Sequence, residues 1–356
     1  MRHDWIIHLQ NLIKTPTFSR EEDATAGIWH RWLTENGADN AVRFHNNVYA
    51  VTPHFDLRKP TLMLNSHHDT VRPASTYTRD PFSPDIENGC IFGLGSNDAG
   101  GAGVALALAY LSLKDEGSIP VNLLLAITAA EEVMGELGMR AFLPHLKEKG
   151  IYPDMAIVGE PTGMQPAVAE RGLLVLDCVA HGKSGHAARE EGINALYRAI
   201  EDVERIRHFA PERVSATLGP IKASVTMMEC GTQHNVVPDR CKYVADVRTT
   251  DAYSNEETVR LLQDCVKWSE LTPRSTRVRA SVIDASHPLV KAAVSLGKRP
   301  FVSGTTSDMA LMHDIPSLKI GPGDSARSHT ADEYIRISEI NDAIDTYINL
   351  IKNIKL

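Results

Sequence analysis

The sequence predicts an α/β protein, in which one domain with a mostly parallel central sheet flanked by helices is interrupted by an inserted α+β domain. Three observations carry this expectation. Short apolar runs alternate with helical periodicity up to about residue 170, the pattern then changes to apolar–polar alternation, and the first texture returns beyond Asp284. A chain of 356 residues is long for a single core, so about two domains are expected. The expected boundaries are 1–169 with 284–356 for the interrupted domain and 170–283 for the insertion.

The elements follow in order. "MRHDWIIHLQNLIK" has apolar residues at helical spacing with charges between them, which is an amphipathic helix and not a signal peptide. "SREEDATAGIWHRWLTENG" reads as a second helix, opened by a capping box of Ser19 and Glu22 and stopped at Gly37. Val48 to Thr52 and Thr61 to Leu64 read as strands, Gly101 to Lys114 as a buried helix and Val121 to Thr128 as a strand. Glu136 to Lys149 then reads as a helix and Met155 to Val158 as a strand.

In the insertion, "GLLVLDCVAHGK", "SVTMMECG", "KYVADVRTT" and "RVRASVI" read as strands, with helices at "INALYRAIEDVERIRHF" and near Asn255 to Trp268. The closing elements are a helix from Pro288, a strand at "PSLKIG" and a helix from Ser338.

Composition narrows the function. Hydrophobic residues make up 43% and charged residues 23%, as in ordinary soluble proteins, and the formal charge of -8 without long runs of one sign argues against nucleic acid. The longest quasi-apolar stretch, Ala99 to Leu113, is shorter than the roughly 18 residues of a membrane span. Five cysteines without a CxxC pair suit a reducing compartment, so a cytoplasmic protein without membrane association is expected.

Ligands of open α/β sheets bind beyond the carboxyl ends of the strands. Four such ends carry metal-type side chains: His67 and Asp69 in "LMLNSHHD", Glu131 and Glu132 in "LLLAITAAEE", Glu160 in "MAIVGEP", and His329 in "LKIGPGDSARSH". Asp98 lies in the glycine-rich turn "GLGSNDAGGAG". Singly, each has a plain structural reading as a polar strand end, a helix cap or a loop residue. Together they would crowd carboxylates into one crevice, which demands cations.

His67 and Asp69 share a face of an extended segment, so the carboxylate can orient the imidazole. In the Glu131–Glu132 pair, one carboxylate can bind metal while its neighbour accepts a proton. Two histidines with Asp98, Glu132 and Glu160 exceed one tetrahedral site and suit two divalent ions sharing Asp98. Lacking cysteine, the set favours Zn²⁺, with Co²⁺ or Mn²⁺ as substitutes.

The ordered motifs "SHHDTV", "GLGSNDAGG", "EEVMG", "GEPT", "GKSGHAA", "HNVVPDR", "SGTTSDM" and "HTADEYI" cover nearly the whole chain. They resemble the acetylornithine deacetylase and succinyl-diaminopimelate desuccinylase family, with its related carboxypeptidases and aminoacylases. The resemblance implies a dinuclear metallohydrolase whose catalytic domain carries an inserted lid or dimerisation domain, with His67 and Glu160 on one metal, Glu132 and His329 on the other, and Asp98 bridging. Asp69 would orient His67, and Glu131 would be general base and then general acid.

In the insertion the resemblance makes His186 an oxyanion-stabilising residue acting on a neighbouring subunit of a homodimer. It makes Asn235, Arg248 and Thr306 substrate contacts, a structural salt bridge being the other reading of Arg248. Thr305 departs from the "GTSD" common among relatives. The expected reaction is hydrolysis of an N-acyl amino acid, N-acetylornithine first, with acetylcitrulline, succinylated equivalents and acetyl-lysine close to it. A di-, amino- or carboxypeptidase is the alternative within enzymes, and a non-catalytic metal- or amino-acid-binding relative the alternative outside them.

Overall fold

The computed structural model describes residues 4–189 and 191–356. The chain begins with helices α1 (Asp4–Lys14) and α2 (Asp23–Glu35) and a hairpin of β1 (Val42–Phe44) and β2 (Asn47–Val51). Next come β3 (Thr61–His67), the short β4 (Ile86–Glu87) and β5 (Cys90–Phe92), and helix α3 (Gly101–Leu113). β6 (Asn122–Thr128), α4 (Met139–Glu148), β7 (Met155–Val158) and β8 (Ala167–Glu170) follow.

A different set of elements comes next: β9 (Gly172–His181), β10 (Gly185–His186), α5 (Ala195–Arg207), β11 (Lys222–Cys230) and β12 (Val236–Val237). It continues through β13 (Arg240–Thr249), α6 (Asn255–Cys265), β14 (Ser269–Pro273) and β15 (Ser281–Val282). The chain ends with α7 (Pro288–Ser295), β16 (Phe301–Ser303), β17 (Ser317–Lys319), β18 (Tyr334–Arg336) and α8 (Ile337–Lys352).

The nine-stranded sheet has the order β1-β2-β6-β3-β7-β17-β8-β15, with β16 beside β8. Its centre, β6-β3-β7-β17, is parallel, and the flanking pairs are antiparallel. Period-two side-chain alternation explains the burial of both faces. Leu62 and Leu64 of β3, with Leu123, Leu125 and Ile127 of β6, pack in the core that holds α1, α2, α3 and α8. Met63, Leu124 and Ala126 point the other way, onto Phe142 and Leu146 of α4.

Helix α3 has no polar face, since every residue from Gly101 to Tyr110 is buried, as a helix sandwiched between other elements requires. Each Leu or Val buried there contributes roughly 1.5–3 kcal/mol relative to exposure.

The molecule falls into two compact units, one of residues to Val168 with Ile283–Phe301 and Ser307–Leu356, the other of Ala169–Val282 with Val302–Thr306. The second is built on the antiparallel sheet β11-β13-β9-β14. Along β9, Leu174, Leu176, Cys178 and Ala180 alternate inward to meet Ala195, Ala199 and Ile206 of α5 and Leu262 of α6. Its first and last strands are hydrogen-bonded neighbours, with Ala169 opposite Val282 and Glu170 opposite Ser281.

Some local expectations change. Ser19 and Glu22 form no capping box: Glu22 itself is the N-cap residue of α2 and makes no side-chain cap bond. Helix α4 starts at Met139, because Glu131–Val133 form a separate tight turn, with Ala130 and Met134 on either side in the left-handed region at φ 56° and 46°. Of "RVRASVI" only Ser281 and Val282 are a strand. All five cysteines are free, and no helix among the described residues is long and apolar enough to cross a membrane.

Candidate metal centre

The four parallel neighbours β6, β3, β7 and β17 are the strands whose carboxyl ends lead to the candidate ligands. Strand β3 ends in His67, with Asp69 just beyond; β6 leads to Glu131 and Glu132, β7 to Glu160, and β17 into the loop of His329. Asp98 comes from the irregular turn Ser96–Gly100 that precedes α3, and the Asp98–Ala99 peptide bond is cis.

These side chains converge in two groups. His67, Asp98 and Glu160 offer ligand atoms that all lie within 4.8 Å of one another, and so do Asp98, Glu132 and His329. His67 Nε2 stands 3.2 Å from Asp98 Oδ1 and 3.7 Å from Glu160 Oε1. His329 Nε2 stands 3.0 Å from Glu132 Oε2 and 3.7 Å from Asp98 Oδ2. Asp98 therefore turns one oxygen toward each histidine.

Asp69 is fully buried behind this pair of groups. His67 Nδ1 lies 3.0 Å from the backbone oxygen of Asp69 and 3.5 Å from its Oδ1, so the nearer partner of the ring is the carbonyl. The carboxylate has other work: it accepts Ser19 Oγ–H at 2.7 Å, Glu131 N–H at 3.0 Å and Glu132 N–H at 3.2 Å. It ties the end of β3 to the Glu131–Glu132 turn. Glu22 supports the same turn, accepting Ala130 N–H at 3.1 Å and Asn46 Nδ2–H at 2.9 Å.

The electrostatics are those of carboxylates pressed together without enough positive charge. Burial pushes Glu131 well above the usual carboxylate range, with Glu160, Asp308 and Glu132 adding to the effect against His67. Burial also raises Glu160, to about 8. Burial would lower His67, but Asp69 and Asp98, with Glu131 and Glu160 behind them, win and hold the imidazole well above its ordinary value. Asp98, despite its burial, is lowered by His67, Ser328 and His329. The Glu132 carboxylate raises His329 to about 9.

The donors fit divalent cations. Each group has one imidazole and two carboxylates, one of them shared, and no thiolate, which suits Zn²⁺, Mn²⁺ or Co²⁺. Cations would also neutralise carboxylates that are otherwise buried against one another.

The remaining expected site residues lie in the second unit. His186 is exposed on the two-stranded ribbon of β10 and β12, opposite Val236, and its Nδ1 accepts Ala188 N–H at 3.1 Å. Asn235 is exposed on the same ribbon, its carbonyl accepting Ala187 N–H at 3.0 Å. Arg248 of β13 grips Asp246 with two hydrogen bonds, of 2.8 and 3.1 Å, so its fork is occupied. Thr306 Oγ1 donates to the Arg171 carbonyl at 3.4 Å.

Sequence reasoning missed four supporting groups. Ser19 and Glu22 looked like a helix cap, and Asp308 looked like part of the "TTSD" turn. Asp308 is buried, accepts Thr128 Oγ1–H at 2.8 Å, and is raised by its burial to about 6. Glu333, in "HTADEYI", has no local pattern that marks it.

Residues 63–353 match Peptidase family M20/M25/M40. The chain belongs to this family. As an M20 protein it is a metallohydrolase, in keeping with the earlier resemblance and with the two candidate metal sites. It is 32% identical over 222 residues to the succinyl-diaminopimelate desuccinylase of Paracoccus denitrificans, covering 57% of this chain and 56% of that one. Succinyl-diaminopimelate desuccinylase 2 of a Ruegeria species is 24% identical over 96% of this chain and 93% of its own. Among solved structures, the aminopeptidase PepT of Bacillus cereus shares the fold with a TM-score of 0.76 at 19% identity, covering 99% of both chains.

Proposed function

We propose that this M20 protein hydrolyses the amide bond of an N-acyl amino acid with the help of two divalent metal ions. The observation that carries the reading is the pair of donor groups sharing Asp98, with the buried Glu131 beside the ligand Glu132. His67 and Glu160 would hold one ion and Glu132 and His329 the other, with Asp98 common to both. Bound there, Zn²⁺, or Co²⁺ or Mn²⁺ in its place, supplies Lewis acidity for a carbonyl oxygen and acidifies water.

The protein's own groups do the rest. Glu131 takes a proton from the water whose oxygen attacks the amide carbon, and returns it to the nitrogen as the C–N bond breaks, leaving a carboxylate and a free amine. Asp69, through the Glu131 and Glu132 amides, keeps base and ligand in register. His186 would hydrogen-bond the developing oxyanion of a substrate held by a second copy of the chain. Exposed Tyr197 and Ile200 on α5 and Met227 and Met228 on β11 support a homodimer through the second unit.

Of the substrate contacts, Asn235 shares the His186 ribbon, while Arg248 would have to release Asp246 to take a carboxylate. N-acetylornithine is the first candidate substrate. The desuccinylase relatives put N-succinyl-diaminopimelate beside it, with acetylcitrulline, succinyl-ornithine and acetyl-lysine next.

Metal analysis of the purified protein, followed by a panel of these compounds and of dipeptides, tests the proposal. Metal-dependent release of acetate or succinate is expected. Cleavage of dipeptides alone would replace this reading by a peptidase, and metal-bound protein that cleaves nothing would replace it by a binding protein.

A further inference from the structure

The backbone N–H groups of Gly93, Gly95, Asn97 and Asp98 converge on one residue far along the chain. Glu333 Oε1 accepts Asn97 N–H at 2.8 Å and Asp98 N–H at 2.9 Å, its Oε2 accepts Gly95 N–H at 3.1 Å, and its backbone oxygen accepts Gly93 N–H at 2.9 Å. The side chain is buried, only 2% exposed. Its place is set by the sheet: β18, which begins at the next residue, pairs antiparallel with β5, Tyr334 opposite Phe92 and Arg336 opposite Cys90. That register carries Glu333 past Phe92 and into the turn.

A second tie joins the same segments. Asn97 Oδ1 accepts Asp324 N–H at 3.0 Å and its Nδ2 donates to the Asp324 carbonyl at 3.1 Å. Gly323 is obligatory there, because its φ is +87° and a Cβ would fall 2.2 Å from Asn97 Oδ1. Glu333 and Asn97 thus clamp both ends of the loop that bears His329 to the turn that bears Asp98.

We infer that Glu333 is a positioning residue, whose carboxylate gathers the turn's amides and so aims Asp98 at both donor groups at once. The inference rests on the proposed reading of Asp98 as the shared ligand. Its two oxygens accept three amides, one of them the candidate ligand's own, so the tie bears directly on where Asp98 is held. Glutamine would keep one acceptor oxygen and turn an NH₂ against backbone donors.

Outer partners of ligands typically govern 10–100-fold in metal affinity. The test is titration of metal-free wild type, Glu333→Gln and Asp98→Asn with Co²⁺, followed by its visible absorption, alongside thermal unfolding of each apo-protein. Expected is a loss of about 10-fold or more for both ions in Glu333→Gln, beyond anything its thermal stability accounts for. Wild-type affinity in Glu333→Gln, with binding lost in Asp98→Asn, would overturn the positioning role and leave the metal site standing. Wild-type affinity in Asp98→Asn would sink the metal reading itself.

Should Glu333→Gln not fold, amide exchange of metal-free wild type decides: the Gly95, Asn97 and Asp98 amides must be protected before any cation is added. Rapid exchange at those three amides would overturn the inference.

Discussion

The carboxylate of Asp69 accepts the backbone N–H of Glu131 at 3.0 Å, although the two residues sit on neighbouring strand ends and far apart in the chain. Asp69→Asn keeps the backbone oxygen that faces His67 but sets an NH₂ against a backbone donor or Ser19. A loss of about 1–3 kcal/mol in stability is expected, with a 10–100-fold loss in metal affinity. Denaturant unfolding and metal titration of the variant check both; a variant that binds metal normally would reduce Asp69 to a bystander.

Glu131→Gln removes the proposed proton carrier and keeps the shape. Metal content should stay at the wild-type level while kcat falls by about 10²-fold or more. Metal analysis and steady-state kinetics measure the two separately, and normal turnover would take Glu131 out of the mechanism.

The metal-free protein should lose stability as pH rises. Glu132 raises His329 from 6.5 to about 9, and burial raises Glu160 from 4.5 to about 8. Both groups bind protons more tightly in the folded state, so their contribution is full below the unfolded values and is lost as pH rises through the folded ones. The decline should be steepest from 6.5 to 8, where both titrate. Zn²⁺, which displaces those protons, should flatten it. Thermal unfolding across pH, with chelator and with Zn²⁺, shows whether the two curves diverge.

Mixing inactive Glu131→Gln and His186→Ala proteins should restore part of the activity if His186 serves a second copy, because each hybrid dimer then holds one intact combination. Subunit exchange followed by assay reads this directly. No recovery, with dimers verified by light scattering, would confine His186 to its own chain or to no role.

Arg248→Ala should change KM for the best panel substrate less than twofold if the Asp246 pair is its whole purpose, with at most about 1 kcal/mol lost in stability. A large rise in KM would instead give Arg248 to the substrate.

What the sequence made legible follows from how far apart the interacting groups are along the chain. Strand β3 could be read because Leu62, Met63 and Leu64 carry the sheet's alternation locally, and His67 and Asp69 because they follow directly on it. The candidate ligand set could be assembled because parallel strands point their carboxyl ends the same way. Ser19 misled, since the Ser-x-x-Glu pattern is identical whether the hydroxyl caps a helix or, as here, reaches Asp69. Glu333 was invisible for a different reason: its partners are backbone amides, which leave no signature in side chains.

The way the second unit is threaded has a consequence for the history and handling of this chain. Because Ala169 and Val282 face each other across one rung of a ladder, a hairpin-sized splice is enough to excise residues 170–281 or to graft another segment in their place. A shortened gene joining those two residues by a few others would ask whether the remaining scaffold takes up divalent cations.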